Sequence, residues 1–244
     1  MRKGYIFTAC FFLIFINFFG IYASDNEYFD KGVNHYQKKE FALAAVHLEE
    51  AKKIDPGESL IYFYLGNAYY QLNDLDNAIL NYTAGLNFTD EKAPFFYNLG
   101  NCYFLKENYN FSSEMYSKAV SSDPTLYDSY LNTGTAHYKT GNYAETIFQW
   151  ETYLEKYPKT PQYEKIEKAI AYLREGLNKT TNGQTSGEND HDSSDPGIDE
   201  KTGLDIDLLS DVMSDLEKLI NQTENVMEIS EKPIDDLSIE DIER

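Results

Sequence analysis

Apolar and polar positions along most of the chain follow a helical rhythm, and the rhythm itself is repeated. Tyr62, Leu65, Gly66, Asn67 and Tyr69 are answered one 34-residue period later by Phe96, Leu99, Gly100, Asn101 and Tyr103. Gly32, Gly66, Gly100 and Gly134 stand in that register, as do Pro56, Asp90, Pro124 and Pro158. Within each period the apolar periodicity breaks near 37–41, 71–75, 105–109 and 139–143, where short polar residues intervene. Each unit therefore reads as two short helices. One such pair cannot bury its own apolar face, so neighbouring units must stack. The prolines close the second helix of a unit. Four units are predicted, over 25–58, 59–92, 93–126 and 127–160.

The pattern changes on either side. Residues 5–20 are almost wholly apolar and follow Arg2 and Lys3. Segment 1–23 reads as a signal peptide, with a retained N-terminal anchor or a lipoprotein signal as alternatives. Each reading sends the rest of the chain out of the cytoplasm. Beyond the repeats, Ile166, Ala169, Ile170 and Leu173 recur at helical spacing within 161–178, as a helix capping the array would require. Residues 179–203 are polar and acidic and read as a flexible linker. Leu209, Val212, Leu216 and Leu219 then fall on a narrow heptad-like stripe within 204–229. That amphipathic helix has no core of its own and is marginal alone in water. An external partner is the favoured occupant of its stripe, with docking on the chain's own groove or an idle tail as alternatives. Residues 230–244 read as an acidic, disordered end.

The repeat resembles the tetratricopeptide repeat (TPR). Counting each glycine as position eight, position four is Tyr28, Tyr62, Phe96 and Tyr130, and position twenty is Ala44, Ala78, Ser112 and Thr146. Position twenty-four is Leu48, Tyr82, Tyr116 and Trp150, and position twenty-seven is Ala51, Gly85, Ala119 and Tyr153. Tyr153 departs from the usual small residue, which implies looser or altered packing at that end. The resemblance implies an all-α superhelical solenoid of four helix-turn-helix repeats with a capping helix. It also implies a concave groove lined by the first helices. The expected groove residues are Phe29, Phe63, Asn67, Tyr70, Tyr97, Asn101, Phe104, Leu131 and Tyr138. TPR domains that clamp acidic chaperone tails line this groove with Lys and Arg. Here aromatics alternate with Asn and Gln, which suits an extended backbone or a helix instead. Some of these aromatics compete for a second use, packing between repeats.

Charge and chemistry narrow the class further. The net charge of −20 falls largely beyond Lys179. An acidic chain repels phosphate backbones, so nucleic acid is not an expected partner. Cys10 and Cys102 cannot staple the repeats once the leader is gone. His35, His47 and His137 sit at repeat positions, and Asp190, Asp192 and Asp195 lack the Gly and closing Glu of a calcium loop. No catalytic constellation, metal site or cofactor is expected. The reading is a scaffold or adaptor of a bacterial cell envelope or periplasm. Its expected partners are proteins, held by the groove and the C-terminal helix, and it touches the membrane only through a retained N-terminal segment. The alternatives are a membrane-anchored adaptor whose N-terminal segment is kept, and an accessory subunit of an envelope-assembly or peptidoglycan enzyme complex.

Overall fold

The computed structural model describes residues 26–183, 198–199, 204–205, 210 and 213–218. Over 26–183 nine helices follow in order: α1 (Glu27–Gln37), α2 (Phe41–Ile54), α3 (Ser59–Gln71), α4 (Leu75–Gly85), α5 (Ala93–Leu105), α6 (Tyr109–Ser122), α7 (Asp128–Lys139), α8 (Tyr143–Lys156) and α9 (Tyr163–Gly183). Each packs chiefly on its neighbours in the chain. The result is an all-α repeat array in which α1, α3, α5 and α7 are the first (A) helices and α2, α4, α6 and α8 the second (B) helices.

The four A-to-B turns are built alike. Lys39, Asn73, Glu107 and Gly141 hold φ of 61, 58, 57 and 74°. In the second turn Asn73 N–H donates to Tyr70 O at 2.9 Å and Asp74 N–H to Tyr69 O at 2.8 Å. One left-handed residue thus satisfies the last carbonyls of the A helix. The next residue starts the B helix: Asp74, Asn108 and Asn142 side chains accept from Asn77, Phe111 and Glu145 N–H.

Helix pairs close through a notch. A Cβ added at Gly100 would lie 2.5 Å from the Tyr116 ring, and Gly32, Gly66 and Gly134 face Leu48, Tyr82 and Trp150 at least as closely. The large side chain at position twenty-four thus occupies the space a side chain at position eight would need. Ala44, Ala78, Ser112 and Thr146 are fully buried beside these notches. Cys102 is fully buried in the third repeat, and burial pushes its thiol far above the ordinary range, so it is inert.

Packing in the last repeat is altered rather than loose. Tyr153 is buried with Trp150, Ile166, Ala169, Ile170 and Leu173. Its hydroxyl lies 2.9 Å from Thr160 Oγ1, so the bulky residue fills space that α9 closes. The apolar stripe of α9 is the one that covers the array. The helix continues to Gly183, past the expected end at 178, because nothing from Asn178 to Asn182 breaks it.

The tail departs from expectation at its start, and further on it takes the alternative of docking on the chain itself. Leu204–Asp205 pairs antiparallel with Ile198–Asp199, so the amphipathic helix does not begin at 204. Ile198-Asp199 and Leu204-Asp205 alternate apolar and polar, which suits an extended rung. Residues 213–218 are helical and lie on the chain's own array: Met213 and Leu216 are buried in one cluster with Leu131, Trp150, Ile166 and Ile170. The acidic tail overcomes the negative charge of the array locally, because Glu217 pairs with Lys139 at 2.5 Å and Asp215 with Lys165. Segment 1–23, residues 230–244, and Leu209, Val212 and Leu219 of the expected partner helix lie outside the described residues.

Candidate protein-binding face

The inner face is carried by the A helices, and the structure sorts its expected residues into two groups. Phe63, Tyr97, Asn101, Phe104 and Leu131 are buried. Phe63 meets Phe95 of the next repeat edge-on with ring centroids 5.2 Å apart, while Tyr97 meets Tyr116 of its own repeat at 5.5 Å and reaches the next repeat through its hydroxyl, which accepts from Asn132. Position five therefore ties one repeat to the next rather than facing a ligand, a correction to the expected groove. Phe104 packs with Ala136 and Tyr109, so at position twelve the third repeat also turns inward. Leu131 lies in the cluster that the tail completes, and Tyr138, stacked on Trp150 at 6.3 Å, packs against it. Phe29 is half-buried, set edge-on to Tyr64 at 6.0 Å.

The asparagines belong to the frame as well as the face. The Tyr82 hydroxyl donates to Asn67 Oδ1 at 2.6 Å, and the Tyr116 hydroxyl to Asn101 Oδ1 at 2.7 Å. A buried tyrosine needs an acceptor for its hydroxyl. Position nine supplies one across the pair, and burial raises both phenols well above their ordinary range. Asn98 Nδ2 also donates to Asn67 Oδ1, at 3.1 Å, linking the second and third repeats. Asn132 Nδ2 donates to the Tyr97 hydroxyl at 3.1 Å, linking the third and fourth. Asn98 and Asn132 were missed in the sequence because position six carries Asp30 and Tyr64 in the first two repeats. Their shared signal is that both recur one period apart.

What remains open is a cleft lined by Tyr36, Asn67, Tyr70, Gln71, Tyr82, Asn98 and Asn101. Its enclosed space is about 10 Å³, room for a single water. A drug-sized or cofactor molecule needs several hundred Å³. The cleft is a polar seam flanked by aromatic rings. It can pair with the edge of a polypeptide backbone and offer ring faces to its side chains. Because the Asn67 carbonyl already accepts twice, its amide N–H groups are what that residue offers a ligand.

Little else at this face suggests reaction chemistry. Among the described residues no group of three His, Cys, Asp or Glu is placed to hold a metal ion. His35 Nδ1 lies 2.6 Å from Glu40 Oε2, and its ring stacks on His47 with centroids 5.0 Å apart. Half-buried His137 has its pKa lowered by desolvation, so it stays neutral at neutral pH. Also among the described residues, no helix is long and apolar enough to cross a membrane.

Comparison with known proteins bears on the same residues. A family profile described as TPR repeat matches 66–107, and profiles described as tetratricopeptide repeat match 93–126 and 128–160. No curated protein matches the chain. Among solved structures, a crystal structure of MamA superimposes with a TM-score of 0.54 at 16% identity, covering 77% of this chain and 92% of that one. A second MamA crystal structure gives 0.56 at 17%, covering 80% and 93%. YrrB, described as a TPR protein with an unusual peptide-binding site, gives 0.53 at 17%, covering 78% and 85%. At such identities the likeness is one of fold.

Proposed function

We propose, from the premise that the chain is a tetratricopeptide-repeat protein, that it is an adaptor holding a protein partner in the seam between Tyr36, Tyr70, Gln71 and Asn98. TPR arrays mediate protein–protein interactions, and the open seam on the A helices is the observation that carries the assignment of site. Rings at Tyr36 and Tyr70 supply apolar area at low entropic cost, and the amides of Asn67, Gln71 and Asn98 bond a backbone. The described peptide-binding site of YrrB, a protein of similar fold, is consistent with this use.

The proposed setting is the bacterial cell envelope, reached by export. Support comes from the apolar run 5–20 behind Arg2 and Lys3. Sequencing the N-terminus of the protein recovered from cells separates a cleaved leader from a retained anchor. A Tyr36→Ala, Tyr70→Ala double variant tests the seam. The expected outcome is loss of the co-purifying partner with helical circular dichroism unchanged. Full retention of the partner by a folded double variant would move the contact surface elsewhere.

A further inference from the structure

We propose that the C-terminal end of the inner face is a second binding site, specific for a short acidic amphipathic helix, and that residues 213–218 occupy it until a partner helix of the same chemistry displaces them. The occupant shows what the site accepts. Met213 and Leu216 lie three apart on one helical face and are only 4% and 2% exposed. They complete an apolar cluster that includes Leu131, Trp150, Ile166, Ile170 and Leu173, drawn from α7, α8 and α9. Acidic residues between and beyond them meet the two lysines of this rim, Glu217 with Lys139 and Asp215 with Lys165. The rim is therefore a charge filter around an apolar floor, and it excludes a basic helix with the same apolar spacing.

The site differs from the seam. The seam is lined from the first three repeats, whereas this site belongs to the fourth repeat and the cap, so the two can be filled together. Residues 213–218 bury only two large side chains, which alone gives weak binding. A tether raises their local concentration to the order of millimolar. An internal occupant of this kind hides the apolar floor in the resting chain and yields to a longer acidic helix that binds by more contacts. The proposal goes beyond the seam assignment and stands on different residues, so either can fail alone.

The test uses the full chain and a fluorescent peptide of residues 204–229 as probe. Three proteins are titrated: the wild type, a release variant (Met213→Asp with Leu216→Asp), and the release variant carrying Lys139→Glu and Lys165→Glu. The probe is expected to bind the release variant at least ~5-fold more tightly than the wild type, since the tethered competitor is gone. Reversing the two lysines should erase that gain, and a probe with Lys in place of its Asp and Glu should not bind. Leu216→Asp alone, a milder change, should give an intermediate gain. Equal affinity for wild type and a folded release variant would overturn the proposal, as would equal binding of acidic and basic probes. Sedimentation as a dimer that the release variant dissolves would also overturn it, by assigning the site to the tail of a second copy.

Discussion

At the scale of single residues, the notch between helices is the sharpest feature. Gly100 faces the Tyr116 ring at a distance no real Cβ tolerates, and that ring is fully buried with its hydroxyl bonded to Asn101. Gly100→Leu should lower stability by about 1–3 kcal/mol or more, seen as a fall in Tm, because neither the ring nor its hydrogen bond can give way freely. A Tm equal to wild type would contradict the notch. Phe63→Ala should cost about 3–5 kcal/mol, since the ring is a buried spacer between repeats. Near-wild-type stability with lost partner binding would return Phe63 to the ligand face. Ser129 offers the opposite sign. Its hydroxyl is buried with no hydrogen-bond partner among the described residues, so Ser129→Ala should raise stability by about 1 kcal/mol. A lowered Tm would show that the hydroxyl has a partner.

At the scale of elements, much of the array is legible in the sequence. Glycines at one period, prolines at the same period and an aromatic opposite each of Gly66, Gly100 and Gly134 force paired helices, and the stripe Ile166, Ala169, Ile170, Leu173 forces a cap. The inner face is less legible. Helix periodicity tells which residues share a face, but it does not tell whether a neighbouring repeat covers them. That is why Phe63 and Tyr97, which read as groove residues, are buried spacers, while Asn98 escapes notice. The docking of the tail is hard to read for a related reason. Tail and array are both acidic overall, but a helix responds to the charges within a Debye length, and two lysines suffice. This element should be sensitive to pH and salt. Hydrogen bonds to Lys165 and Lys218 hold the Asp215 carboxyl below its ordinary pKa. A depressed carboxylate contributes to docking above its free value and loses that contribution as pH falls through the docked one. Hydrogen exchange at 213–218 should therefore accelerate, relative to the intrinsic rate, in the acid range or in molar salt at neutral pH. Protection unchanged by both acid and salt would mean that the ion pairs do not hold the helix.

At the scale of the whole molecule, an inner face of seam and plugged end is set apart from an outer face of B helices. The outer face is not featureless: Val46, Leu80, Phe111 and Phe148 are each at least half exposed there. Entry of the partner into the seam is tested by photo-crosslinking in cells that make the full chain. A photoreactive residue replaces Gln71, which lines the seam, or in a separate protein Leu80, on the outward side of α4. The expected result is a crosslinked protein band at position 71, abolished by Tyr36→Ala with Tyr70→Ala, and none of that mass at position 80. A band at position 80 with none at 71 would contradict it.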